Sequence, residues 1–252
     1  MAYHFIAITS DYAQGQRIAW HYATEEKLDT KRIKSFLQKT KISFPNIAFG
    51  IHKLSTSSTS WESVVEKDSF FEDVCANADE DVFLKYLEAD RDITAQDVAK
   101  IFLKLVPMSH LKQQKMIYLA YKDYLVKYGK KMFSEEIVAF KYGPVVSEVY
   151  QMYKKSGASE IELTDDDETP FKIKDTAIPA IFIKLTRADD GFSKFDSIAR
   201  VLKKYGNRTA GELVDYTHSQ DAPWDKVFVE GQNHVLTDEV ILKYHQNEKF
   251  VN

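Results

Sequence analysis

The first apolar run, residues 3–9, is short and partly β-branched, which predicts a strand. Residues 17–24 read as its hairpin partner, with Gly15 in the turn. Ile33, Phe36 and Leu37 then fall at i, i+3 and i+4 behind a capping Asp29 or Thr30, so residues 29–38 predict a helix. Residues 47–54 read as a further strand and the Ser/Thr cluster 55–60 as a loop. The acid-rich stretch 64–89 reads as mostly helical. Residues 1–90 therefore predict a small α+β domain.

Near Asp92 the spacing of apolar positions changes. Thr94 and Asp97 form a capping box ahead of Val98, Ile101, Phe102 and Leu105, one face of a helix that Pro107 stops. Ile117, Tyr121, Tyr124 and Tyr128 mark a second helical face over residues 111–128, closed by Gly129. Val146, Val149, Tyr150 and Tyr153 continue the pattern, followed by Gly157. Residues 160–184 break it: short strand-like runs at 161–163, 171–173 and 181–185 are split by acidic residues and two prolines. Helical spacing returns at Ile198, Val201, Leu202 and Tyr205. Thr209 and Glu212 make a full capping box, and a last helix is expected from Thr237 to about His245. The fold class expected is mainly α, with an α+β domain over 1–90 and a helical domain over 93–252 that carries a short β-like insertion.

Composition narrows the function classes. Apolar residues make up 44% of the 252, enough for a core, so disorder is excluded. No apolar run is long enough to cross a bilayer, and the start lacks the basic-then-apolar order of a secretion signal, so the expectation is a cytoplasmic protein without a membrane partner. The single cysteine, Cys75, sits among acids and reads as an ordinary thiol. Charge is unevenly spread. Residues 93–158 hold 11 Lys/Arg against 5 Asp/Glu, a net +6, while residues 159–252 hold 12 against 18, a net −6. A chain basic over a quarter of its length is a poor nucleic-acid binder.

Tyr142-Gly143-Pro144 reads as a sharp turn into a helix over 145–155, because proline suits a first helical turn and glycine accepts the angle before it. That turn is either structural or a device that shows Lys141 and Tyr142 to a partner. Asp215, His218 and Asp221 invite a catalytic reading, but no second histidine stands at metal-ligand spacing and no nucleophile elbow is present. His218 also fits a helix end. Trp224 after Pro223 fits either the core or a contact point. No phosphate-binding glycine loop occurs, so no cofactor is expected and the chain reads as a non-enzyme.

Four segments occur in a family-like order: Leu111-Lys112-Gln113-Gln114-Lys115 running to Tyr118-Leu119-Ala120; Phe140 to Val146 with Val149-Tyr150; Leu202 to Gly206; and Leu213 to His218 with Pro223-Trp224. Together they resemble the Panacea family, phage-associated antitoxin domains formerly of unknown function. The resemblance spans about 160 residues. It departs from the family's plain helix link at residues 160–184 and is silent on residues 1–90. It implies an antitoxin of a toxin–antitoxin system, with phage defence as its setting and a cognate toxin, encoded next door, as its partner. Known family partners include tRNA-modifying enzymes, other blockers of translation and membrane-damaging toxins. The resemblance implies neutralisation by direct binding, with two alternatives: a protease adaptor, as in one family member, or a DNA-binding autorepressor. The expected contact residues are Lys115, Tyr118, Lys122, Lys141, Tyr142, Gly143, Pro144, Tyr150, His218 and Trp224, with Lys115 and Lys122 on an exposed basic face.

Overall fold

In the computed structural model, the described residues are 1–11, 16–45, 47–89, 91–162, 171–173 and 176–250. The chain divides into two compact units, Met1–Asp92 with Glu168–Ala188, and Ile93–Asp167 with Asp189–Asn252.

The first unit is built on a four-stranded sheet. Strands β1 (Ala2–Asp11) and β2 (Gln16–Thr24) pair antiparallel, as their apolar runs predict; Gly15 lies outside the described residues. β3 (Gly50–Thr56) joins the other edge of β1 antiparallel, and β4 (Val74–Asn77) joins β2 in parallel. The order is β3-β1-β2-β4. β1 is central and covered on both faces, which explains its near-continuous apolar run. Phe5 and Ala7 point to a core shared with Trp20, Ile33, Phe36 and Phe83, on α1 (Thr30–Ser43) and α3 (Glu80–Ala89) among others. Ile6 and Ile8 point to the opposite core with Val64 of α2 (Trp61–Lys67), Phe71 and Val74. Asp29 caps α1 through its carboxylate. β4 lies within the stretch expected to be helical; four residues on a sheet edge are too few to interrupt an acidic helical pattern.

The second unit is wound about one helix. α4 (Ala95–Leu105) begins at the expected capping box and buries Val98, Ile101 and Phe102. α5 (His110–Tyr128) packs against α4 and four later helices, and the left-handed Gly129 closes it. Because neighbours surround it, α5 buries polar as well as apolar positions, from Gln113 to Lys122 without a break. Next come β5 (Ile137–Phe140) and β6 (Gly143–Val146), an antiparallel hairpin, and then α6 (Ser147–Tyr153). The expected helix over 145–155 is thus corrected: its first two residues finish a strand, and Pro144 sits inside that strand.

Over 160–184 the structure has a small hairpin, β7 (Phe171–Ile173) with β8 (Thr176–Ile178), and a helix, α7 (Ala180–Arg187), all in the first unit. The strand expected at 181–185 is therefore a helix. Ala180, Ile181, Lys184 and Leu185 are its buried residues, at helical spacing directly after Pro179. The strand-like run at 161–163 is no strand at 161 and 162, and 163 lies outside the described residues. α8 (Gly191–Tyr205), α9 (Ala210–Thr217), α10 (Pro223–Val227) and α11 (Asp238–Tyr244) complete the second unit. α9 starts at the expected Thr209–Glu212 capping box. Among the described residues no helix is long and apolar enough to cross a membrane.

Candidate functional site

Several of the family-like motifs meet at the β5–β6 hairpin. One edge of β5 is paired with a later segment: the Ala139 N–H donates to the His234 carbonyl at 2.9 Å, and the Leu236 N–H donates to the Ile137 carbonyl at 2.7 Å. The free edge of β6 faces α5, where no strand is available. Two side chains take the strand's place. Gln114 Oε1 accepts from the Val146 N–H at 2.9 Å, and Lys115 Nζ donates to the Pro144 carbonyl at 2.9 Å. Buried backbone groups need such partners, and Pro144, without an N–H, removes one demand from that edge. At the hairpin's turn, Trp224 Nε1 donates to the Phe140 carbonyl at 2.8 Å. Gly143 has φ +100°, and the Lys115 ammonium and Thr217 hydroxyl crowd the space a Cβ would fill.

Lys115 is wholly buried, and burial draws its ammonium down to about 7. His218 is the C-cap of α9, and its ring lies flat on Trp224, with centroids 3.6 Å apart and planes 3° apart. Burial, helped by the nearby Lys115 charge, lowers His218 to about 4, so its ring is neutral. Its Nε2 has no hydrogen-bond partner. Among the described residues no cluster of His, Cys, Asp and Glu has the geometry to hold a metal ion.

Two of the expected contact lysines are misplaced by the exposed-face reading. Lys115 and Lys122 are buried, as is Tyr118. Lys122 Nζ pairs with the Glu248 carboxylate, whose side chain is fully buried, and the Tyr118 hydroxyl donates to the same carboxylate at 2.7 Å. Four lysines of the +6 segment pair with carboxylates of the −6 segment that follows it, Lys122 among them. Lys127 pairs with Asp196 at 3.0 Å, Lys130 with Asp190 at 2.7 Å, and Lys131 with Asp238 at 3.8 Å. Lys112 donates to the Gly206 carbonyl at 2.6 Å. Opposite charge within one unit accounts for part of the pattern, and Lys141, Lys154 and Lys155 stay exposed. Gly143, Pro144 and Trp224 are buried supports, while Tyr150 and His218 are half-buried. Lys141 and Tyr142, the two residues of the hairpin turn, are exposed, Tyr142 at 59%.

Beside that turn lies a cleft of about 590 Å³. Its walls are the start of α5 (His110, Leu111, Gln114), the hairpin (Phe140, Lys141, Tyr142, Val145), Tyr150 of α6, the loop at Gly157 and Ala158, and Ala210. Tyr150 stands edge-on to both His110 and Phe140, at 5.6 Å in each case. Leu111 and Gln114 fall in one of the family-like segments, but neither they nor His110 stand among the expected contact residues. Their i, i+1 and i+4 spacing, which puts them on one side of the first turns of α5, is the available signal.

Residues 114–225 match the family model described as antitoxin SocA-like, Panacea domain. The match bears out the resemblance read from the motifs, over a shorter span than 93–252. It takes in the hairpin, Lys115, His218 and Trp224. The chain is also 28% identical over 142 residues to Antitoxin SocA of Caulobacter vibrioides (strain NA1000 / CB15N), covering 54% of this chain and 71% of that protein. No solved structure matches.

Proposed function

We propose that this protein is an antitoxin that neutralises a partner toxin by binding it directly, through the β5–β6 turn and the cleft beside it. The observation that carries the proposal is the contrast at that turn. Lys141 and Tyr142 project into solvent, while Gln114, Lys115 and Trp224 hold the hairpin backbone from beneath. An exposed tyrosine on a fixed backbone loses little entropy on binding and is a common interface anchor. The similarity to the SocA-like antitoxin family supports the role of the partner as a toxin. A binding role asks for no catalytic group.

Co-expression with the product of the neighbouring reading frame is expected to rescue growth, and the two proteins are expected to co-purify at fixed stoichiometry. Tyr142→Ala is expected to weaken the complex by about 2 kcal/mol, roughly thirty-fold, with an unchanged melting temperature. Rescue at substoichiometric levels with no complex isolated would overturn direct neutralisation in favour of delivery to a protease.

A further inference from the structure

The cleft beside the turn has features that specify what it takes. We infer that it is the seat of an extended segment of the partner, led by a large apolar side chain with an Asp or Glu close by in sequence. This inference rests on the antitoxin reading and names the chemistry of its partner.

Three observations point to that occupant. The volume, about 590 Å³, falls in the range of binding clefts and holds one or two large side chains. The wall is apolar and aromatic around Tyr150. Within it, Gln114 is 1% exposed and has committed its Oε1 to the Val146 N–H, but its Nε2 has no partner among the described residues. His110 Nδ1, on the same wall, also lacks one. Buried polar atoms rarely stay unpaired. Both atoms are shielded from solvent in the unbound chain, so a peptide carbonyl reaches the Gln114 amide only as the cleft wall gives way on binding, and an aliphatic molecule has no acceptor to offer it. The third observation is charge. The lining holds no acidic residue, and its single cation, Lys141, is exposed at the mouth. Lys154 and Lys155, exposed just ahead of the Gly157–Ala158 wall, add positive charge near this rim, so an incoming carboxylate meets cations there and no carboxylate in the lining. Burial lowers the His110 pKa below its ordinary value, so that ring does not add charge.

The test uses the full chain as bait for a displayed library of random dodecapeptides. The expected result is a selected set sharing a Leu, Phe or Trp within two positions of an Asp or Glu. A synthetic peptide of that set should lose roughly ten-fold or more in affinity on Ala158→Trp, which fills the cleft from an exposed position. It should lose comparably on Lys141→Glu, and a peptide with Lys replacing the acid should bind Lys141→Glu better than the parent protein. The charge swap keeps the test decisive if Ala158→Trp perturbs folding, because Lys141 is exposed on a turn. No enrichment, a basic consensus, or affinity indifferent to both variants would overturn the inference. Separate outcomes separate the two claims. If both variants still neutralise the neighbouring gene product, the antitoxin reading stands and the cleft inference falls. If the peptides bind as expected but that product is neither bound nor neutralised, the cleft inference stands and the antitoxin reading falls.

Discussion

A methyl group on Gly143 would lie 2.6 Å from Lys115 Nζ and 2.8 Å from Thr217 Oγ1, on a backbone with φ +100°. Both the conformation and the crowding oppose any side chain. Gly143→Ala is expected to destabilise the protein by about 2–4 kcal/mol in chemical denaturation. Gly211→Ala, in a helix with nothing within 4 Å of the new Cβ, should be neutral or slightly stabilising. Equal effects at the two positions would remove the case for a crowded hairpin edge. Lys115 makes a second residue-scale prediction. Its folded pKa, about 7, lies below its unfolded value near 10.5, so between those limits the unfolded chain binds the extra proton. Stability therefore rises with pH from about 7.5 to 9.5, and the gain is absent below 7. Lys115→Met should flatten that slope by up to about 1.4 kcal/mol per pH unit, read from denaturation midpoints across the range. An unchanged slope would mean that Lys115 is solvated.

The elements differ in how plainly the sequence announces them. β1, β2, α1, α4, α5, α8 and α9 follow directly from apolar spacing and capping residues, because each is long enough to show a period or begins at a side-chain cap. The β5–β6 hairpin does not. Its strands have four residues each, and all four of β6 are buried, so no alternation of apolar and polar positions marks it. Pro144 then reads as the start of a helix, whereas its real use is on a strand edge that lacks a donor partner. α7 is hidden for the opposite reason, since Ile181-Phe182-Ile183 is a run of strand-favouring residues that the structure folds as a helix. The candidate site was half legible. Tyr142, Gly143, Pro144 and Trp224 stand out by residue type, and the structure brings them to one hairpin. Lys115 and Lys122 read as surface because lysine usually is, and Tyr118 reads as a contact residue beside them. A helix enclosed on all sides has no solvent face to give them, and there they bond to a carbonyl and a carboxylate.

At the scale of the molecule, the division into units cuts the sequence twice, so that Glu168–Ala188 groups with the first ninety-two residues. We propose that neither unit is obtained whole by a single truncation. A fragment starting at Ile93 keeps α7 but loses the rest of the unit it groups with, and re-exposing a buried side chain such as Ile181 or Leu185 costs about 1.5–3 kcal/mol. It is expected to bind a hydrophobic dye and to melt below the full chain. Replacing residues 168–188 of that fragment by a short flexible linker should abolish the dye signal. A fragment from Ile93 that melts cooperatively without dye binding would refute this division. The hairpin has a consequence of a different kind. Its backbone is fastened by Gln114, Lys115 and Trp224, none of which lies in the turn itself. Lys141 and Tyr142 therefore carry little of the molecule's stability and are open to replacement, so a lineage pursued by changing adversaries could alter what it recognises at these two positions without rebuilding the scaffold that presents them.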